Sequence, residues 1–531
     1  MAKRAGPIPH QFLIGLGLLG AIALLTAMRA APTPPRPESA PADQFSAARA
    51  AKVLGTILGD QAPHPLGTPE AAAVRDRVVE QLRSLRLIPI EQVAPSCRDE
   101  EEATIPCPTV HNLMARIEGH SAGRAVLLMV HSDSTPKGPG AADDGSGVAI
   151  ALEAARAILA GEQPNNPIVI LITDGEEKGL LGARAFVRRE AWLSDIGAVV
   201  NLEARGTSGP SRMFETSGPN GWLVDLLAKS LPRPVTSSLF PSVYERLPND
   251  TDFTILKRHG IPGMNFAFIG SAQHYHTTQD DLAHLSLESL QHQGENALAI
   301  VRALASTDLN QIRTEHVVFF DLFARWIVRW PEPWTLPLAV ASLLLILTAT
   351  IVRWRQHRFT FAQWSWSISV FLMALVGSLV VGLLAVMAIR KLGFAPKPWV
   401  DAPVAFIAPF WLIGLLSAWG APRLLGRRCR AEPLWLGVWF VWSVLALIAA
   451  KALPGGSYLF VVPSLVAGVT AVTARPGGVP SVFIPFLSAA VIWSPLILAW
   501  YEALGIPVLF CLSLFVALVV STLAPLLVSD R

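Results

Sequence analysis

The sequence predicts an α/β domain with a mostly parallel central sheet, joined to an all-α membrane domain. Three observations predict it. Apolar runs of strand length alternate with helical patterns between residues 44 and 310. Long uncharged runs dominate residues 335 to 531. A content of 52% hydrophobic and 16% charged residues is too apolar for an ordinary soluble chain of 531 residues. The net charge of +3 is small and its basic residues are dispersed, which excludes a nucleic-acid-binding stripe.

In chain order, residues 1–10 carry Lys3 and Arg4 and read as a cytoplasmic N-terminus, followed by an uncharged run over 11–28. That run is near spanning length and long for a signal-peptide core, so it reads as an anchor, with a cleaved signal as the alternative. Residues 29–43 (APTPPRPESAPAD within them) read as a semi-rigid Pro/Ala-rich linker. Within 44–310, helical patterns fall at 44–59 and 70–85, and apolar strands at 126–130, 168–172, 198–202 and 264–268. Sites in such sheets lie at the carboxyl ends of the strands. Cys97 and Cys107 bracket an acidic loop and would pair in an oxidising compartment, whereas Cys429 and Cys511 fall in the apolar half and read as unpaired. Residues 311–334 form a connector, where Val317 to Trp330 mixes Arg325 and Arg329 with aromatics and reads as interfacial.

Uncharged runs near 335–352, 365–389, 402–422, 433–450, 457–474, 480–500 and 506–528 read as seven membrane helices. Their ends support a topology. With the α/β domain outside, Lys3, Arg4, Arg353, Arg355, Arg358, Arg423, Arg427, Arg428, Arg430 and Arg475 all fall on the cytoplasmic side. The outside loops hold Arg390, Lys391, Lys397 and Lys451, so the bias follows the positive-inside rule. Few ionisable residues lie inside the spans, which argues against an ion-coupled transporter and for an anchor in contact with membrane lipid.

The candidate chemistry sits at four strand ends. The run Val126 to Val130 ends in His131, Ser132 and Asp133, and positions two apart share a face, so Asp133 is placed to hold the His131 imidazole. The loop that follows passes through Gly140 to the adjacent carboxylates Asp143 and Asp144. After Ile168 to Ile172 come Asp174, Glu176 and Glu177; adjacent glutamates point in different directions, which separates a metal ligand from a base. The third strand ends in Glu203, and the fourth leads to His274, Tyr275, His276 and Asp280. Singly, each has a bland explanation: a helix cap for Asp143, a solvated loop face for Glu176 and Glu177, a satisfied core histidine for His131. Their combination at successive strand ends points to a metal centre. His64, His111, His120, His274 and His284 have no such pattern and read as surface or packing residues. Asn249, Asp250 and Asp252 precede a helix and read as pocket-shaping, and the Tyr275 phenol either donates to an oxyanion or packs.

The segments HSD, PGAADDGSG, DGEEKGLLGA, NLEARG and YHTTQD, in this order, resemble the di-zinc exopeptidase family of secreted aminopeptidases, glutamate carboxypeptidase and the single-zinc glutaminyl cyclases. NLEARGTSGPSRMFETSGPNGWLV and VVFFDLFARWIVRW are similar, more narrowly, to membrane-anchored endoplasmic reticulum metallopeptidases. The resemblance implies a phosphorylase/hydrolase-like α/β/α fold and two zinc ions per chain. Asp143 would bridge them, with His131 and Glu203 completing one site and Glu177 and His276 the other. Glu176 would be the general base and Asp133 the partner of His131. It implies a membrane-anchored exopeptidase, an aminopeptidase first, hydrolysing peptide substrates with a metal-bridging hydroxide on the periplasmic or lumenal face. The alternative is a retired peptidase domain that serves binding in a membrane receptor or transporter. Many aminopeptidases of the family have Asp where this chain has Glu203, which leaves the substrate terminus open. Richness in alanine, arginine and tryptophan suggests a bacterial inner membrane with the domain in the periplasm.

Overall fold

A computed structural model describes residues 9–98, 107–121, 123–310, 315–392, 403–425, 429–504 and 508–528. Lys3, Arg4, Lys397, Arg427, Arg428 and the acidic segment 99–106 lie outside the described residues. The chain divides into two units: Ala30–Val317 with Ala324–Ile327, and Met1–Arg29 with Val318–Phe323 and Val328–Arg531.

The first unit is built on a seven-stranded sheet. Its strands are β1 (Ile90–Pro95), β2 (Thr109–Ile117), β3 (Ala125–His131), β4 (Ile168–Thr173), β5 (Ile196–Ala204), β6 (Arg212–Thr216) and β7 (Gly263–Phe268), in the order β1-β2-β4-β3-β5-β7-β6. The inner four, β4, β3, β5 and β7, run parallel, and the flanking strands pair antiparallel. All seven residues of β3 are buried, as expected of a central strand covered on both faces. Leu127 and Met129 pack with Ala183, Phe186, Phe253 and Leu256, from helices α5 (Leu181–Val187) and α9 (Asp252–Arg258), after α1 (His10–Ala30), α2 (Ala47–Leu58), α3 (Pro69–Ser84), α4 (Gly147–Leu159), α6 (Glu190–Asp195), α7 (Gly221–Ser230) and α8 (Leu239–Tyr244) in the numbering. The alternate residues of β3 face the other layer, where α4 and α10 (Leu287–Ala305) lie.

The four apolar strands expected from the sequence are β3, β4, β5 and β7. β2 escapes the apolar pattern because it carries His111, Asn112 and Arg116. Asn112 is nonetheless buried: its amide donates to Gln92 Oε1 at 2.9 Å and to the Gly182 carbonyl at 2.8 Å, which offsets the cost of desolvation. The Ser46 side chain caps α2, accepting from the Arg49 amide at 3.2 Å, and the apolar face Ala47, Ala50, Leu54 and Leu58 is buried. Gly294 is required where α10 meets the Phe45 ring, because an added Cβ would overlap that ring.

The Pro/Ala-rich segment is held against the domain more firmly than its composition suggests. The Arg36 amide donates to Gln291 Oε1 at 2.9 Å, and its guanidinium pairs with Glu295 at 3.0 Å. Arg49 supplies donors to the carbonyls of Glu38, Ala40 and Gln44 at 2.7, 2.9 and 2.7 Å, satisfying a backbone that makes no ladder of its own.

Cys97 and Cys107 form a disulfide across the β1–β2 connection, next to the pair Pro95 and Thr109. With a sequence separation of 10 the cross-link removes about 3 kcal/mol of denatured-state entropy. Cys97→Ser with Cys107→Ser is therefore expected to lower the thermal midpoint by several degrees. An unchanged midpoint under oxidising conditions would contradict it.

His292 on α10 is buried with both ring nitrogens engaged: Nδ1 accepts from the Ser211 amide at 3.2 Å and Nε2–H donates to the Arg233 carbonyl at 3.0 Å. Burial pushes its pKa down from 6.5 to about 4. Folding thus favours the neutral ring. This contribution is complete above pH 6.5 and is lost as pH falls through about 4, amounting to roughly 3 kcal/mol at most. Melting curves from pH 7 to 4 should fall more steeply for the native chain than for His292→Gln, whose own midpoint at pH 7 is lower; parallel curves would refute the assignment.

In the second unit, six helices among the described residues are long and apolar enough to cross a membrane: His10–Ala30, Glu332–Arg355, Phe361–Lys391, Ala431–Ala452, Val479–Leu498 and Phe510–Leu527. Apolar helices Pro403–Leu425 and the shorter Tyr458–Thr473 accompany them. Trp435, Trp439 and Trp442 are fully buried within this unit. The connector folds as a two-stranded sheet, β8 (Val317–Leu322) with β9 (Trp326–Pro331), where β-branched and aromatic residues such as Val318, Phe319, Trp326 and Val328 suit a strand.

Candidate metal centre

Parallel pairing delivers the candidate residues to one edge of the sheet. His131 closes β3 opposite Thr173 at the end of β4, and Glu203 lies near the end of β5. Beyond β3, Gly140 takes φ +63°, where an L side chain is strained, and starts the tight turn Ala141–Ser146 that carries Asp143 and Asp144. The Asp143–Asp144 peptide is cis. Gly147 begins α4 against the Asp144 carboxylate, where no Cβ fits.

Two three-residue groups result, and they share one member. Ligand atoms of His131, Asp143 and Glu203 lie within 4.8 Å of one another, as do those of Asp143, Glu177 and His276. His131 Nε2 is 3.4 Å from Asp143 Oδ1 and 3.8 Å from Glu203 Oε2. His276 Nε2 is 3.1 Å from Asp143 Oδ2 and 3.0 Å from Glu177 Oε1. His276 itself takes φ +57°, a conformation its loop imposes, and Tyr275 stacks on its ring at 3.7 Å.

The tautomer of His131 decides whether a cation fits. Its Nδ1 is 3.0 Å from the Asp133 carbonyl, which can only accept, so Nδ1 carries a proton and Nε2 is the nitrogen turned toward the carboxylates. Without a cation those carboxylates favour a second proton on Nε2; a cation among them would take that proton's place and offset the crowding of the carboxylates. The nitrogen and oxygen donors suit zinc.

Electrostatics describe the same crowding. Burial pushes Glu203 up to about 8, and it pushes Glu176, Glu177 and Asp144 upward as well. Burial alone would lower His131, but the Asp133 and Asp143 carboxylates hold it well above its ordinary value. Burial likewise opposes the Asp143 and Glu177 carboxylates at His276, which together raise it to about 9.

Asp133 acts differently from the expected side-chain contact. Its carboxylate stands 3.6 Å from His131 Nδ1, beyond hydrogen-bonding distance, and the carbonyl makes the imidazole contact instead. The carboxylate accepts from the amides of Glu176 and Glu177 at 3.0 and 3.2 Å, fixing the turn that aims both glutamates. Asp280, which ends the YHTTQD segment, has a role that sequence reasoning misses. It accepts from the amides of Ala142 and Asp143 at 2.7 and 3.2 Å and so holds the shared aspartate's turn. Its type and loop position alone carry no signal for this, because the contact spans 137 residues of sequence.

Other candidates lie apart from the groups. Asn249 and Asp250 are exposed, and Asp250 pairs with Arg258 at 3.5 Å. Asp252 is buried and bonds the Thr173 hydroxyl. His274 contacts Thr207 Oγ1 at 2.7 Å, His284 pairs with Asp281, and His64 packs inside the domain. None joins the two donor groups.

The model of Peptidase family M28 matches residues 112–301, the segment that contains every one of these donors. The chain carries an M28 domain. Endoplasmic reticulum metallopeptidase 1 of Rattus norvegicus is 33% identical over 232 residues, which is 42% of this chain and 26% of that protein. Putative endoplasmic reticulum metallopeptidase 1-B of Caenorhabditis elegans is 30% identical over 379 residues, 66% of this chain and 41% of that protein. The vacuolar membrane protease of Eremothecium gossypii is 31% identical over 234 residues, 43% of this chain and 23% of that protein. The chain thus spans less than half the length of each of these curated relatives. Among solved structures, an aminopeptidase from Aneurinibacillus sp. strain AM-1 is 15% identical, with a TM-score of 0.41, over 52% of this chain and 98% of that one. A Zn-dependent exopeptidase from Parabacteroides distasonis is 18% identical, with a TM-score of 0.40, over 49% and 99%. The M28 domain therefore sits in a multi-pass membrane protein, with its donors on β3 and β5 themselves and on the loops after β3, β4 and β7.

Proposed function

We propose that residues 44–310 are a two-zinc exopeptidase, acting as an aminopeptidase on peptides at the non-cytoplasmic face of a membrane. The observation that carries the reading is the pair of donor groups joined by Asp143, with Glu176 beside Glu177 on the same turn. His131, Asp143 and Glu203 would hold one ion, and Asp143, Glu177 and His276 the other. Bound there, zinc supplies Lewis acidity toward the scissile carbonyl and makes water more acidic. The chain supplies the rest. Glu176 accepts the proton of the attacking water and returns it to the leaving amine, aided by a pKa that burial raises well above its ordinary value. Asp133 keeps Glu176 and Glu177 in fixed relation by holding both amides. Asp280 holds Asp143 in the same way.

The outward placement rests on the arginine bias of the membrane half and on the Cys97–Cys107 disulfide, which favours an oxidising compartment. The relatives are named for endoplasmic reticulum and vacuolar membranes, so they lend no support to a bacterial inner membrane, and the proposal extends only to the side. The division into anchor 11–28, linker 29–43, connector 311–334 and membrane domain 335–531 belongs to the same proposal.

The test is zinc content of the detergent-purified chain by mass spectrometry, with hydrolysis of free-amine peptides beside N-blocked and C-amidated ones. Two zinc ions and cleavage of free-amine substrates are expected. Cleavage that requires a free carboxyl terminus would replace aminopeptidase by carboxypeptidase action, and a folded chain without zinc or turnover would overturn the reading.

A further inference from the structure

Glu203 presents Oε2 toward His131, and its other oxygen is gripped from behind by a buried chain of side chains. Asn201 Nδ2 donates to Glu203 Oε1 at 2.9 Å and to Asn265 Oδ1 at 3.1 Å. The two amides are neighbours in register, Asn201 on β5 and Asn265 on β7. Asn265 Nδ2 donates in turn to Glu215 Oε2 at 3.3 Å and Thr251 Oγ1 at 2.9 Å, and Glu215 is the register partner of Asn265 on β6. Lys257 Nζ closes the line, donating to Glu215 Oε1 at 3.4 Å and to Glu245 at 3.1 Å. Asn201, Asn265 and Glu215 are no more than 2% exposed.

The line has a direction. An ionised carboxylate only accepts, so Glu215 requires the NH₂ of Asn265 to face it. The Asn265 carbonyl then faces Asn201, which must turn its own NH₂ inward, and the second hydrogen of that NH₂ meets Glu203. Reversing Asn265 would set its carbonyl against the Glu215 carboxylate and its NH₂ against that of Asn201. One charge at Glu215 therefore fixes both amides.

Taking the two-zinc centre proposed above as given, we propose that Glu215 is a remote positioning residue that acts through Asn265 and Asn201 to hold Glu203 as a one-oxygen ligand. It sets the zinc affinity of the His131–Asp143–Glu203 site without touching it. The site built from Glu177 and His276 draws on none of this network.

Glu215→Gln tests it in the full-length chain, because the substitution is isosteric and lets residue 215 donate, freeing Asn265 to turn. Zinc affinity is measured by competition with a chelator of known strength, beside the melting midpoint of the metal-free protein. The expected result is two affinities, one weakened about 10–100-fold and one unchanged, with activity restored at saturating zinc. The double variant Glu215→Gln with Asn265→Asp rebuilds the direction. The new amide at position 215 donates to the new carboxylate at position 265, that carboxylate accepts from Asn201, and the Thr251 hydroxyl rotates to donate. The double variant should recover the native affinity, and it carries the test if the single variant does not fold. Two native affinities in Glu215→Gln, or a folded double variant that binds no better than the single one, would overturn the proposal while leaving the zinc centre intact. A native chain that binds no zinc would overturn both.

Discussion

Glu176→Gln is expected to reduce turnover roughly 10³-fold while zinc content and melting midpoint stay native. The substitution keeps the size of a partly buried side chain and leaves its amide on Asp133, so the turn that also carries Glu177 is preserved. What it removes is the group that can take and return a proton. In the native chain the rate should climb with pH as Glu176 ionises, since a base works only in its deprotonated form. The glutamine variant should lose that rise. A variant that retains the native rate, or loses zinc along with it, would move the base elsewhere or recast Glu176 as a residue that holds the metal.

The donors were legible in the sequence for a physical reason. A parallel sheet puts its loops at one edge, so His131, Glu177, Glu203 and His276 could be read as one constellation from four apolar runs and the polar residues that end them. The flanking strands were not legible, because β1, β2 and β6 carry buried polar residues such as Gln92, Asn112 and Glu215 whose partners lie on other strands. Supporting contacts were hidden for the same reason. Asp280 reaches Asp143 and Gln293 reaches the Glu203 carbonyl across 137 and 90 residues of sequence, and no local pattern encodes such meetings. Asp133 shows a subtler limit. Strand alternation placed it correctly beside His131, but alternation says nothing of whether the carbonyl or the carboxylate makes the contact.

Asp143→Asn should remove both zinc ions, whereas His276→Ala should remove one. The difference follows from geometry: Asp143 offers Oδ1 toward His131 and Oδ2 toward His276, so each group of donors uses a different oxygen of one carboxylate. An amide supplies one weak oxygen donor and an NH₂ that faces the other ion, so the affinity lost should exceed the roughly 10–100-fold typical of outer contacts. The metal-free protein should lose stability as well. Burial opposes the Asp143 carboxylate, but His131 and His276 on either side hold its pKa below the ordinary value, so its charge favours the fold even though it crowds Glu177 and Glu203. Asp143→Asn should therefore melt lower than the native chain without zinc. It should also fail to gain the stability that zinc confers on the native chain, about 2.7 kcal/mol at a free concentration one hundred times the dissociation constant. Loss of a single ion in Asp143→Asn, with the other still tightly held, would show that the two groups of donors do not share this carboxylate.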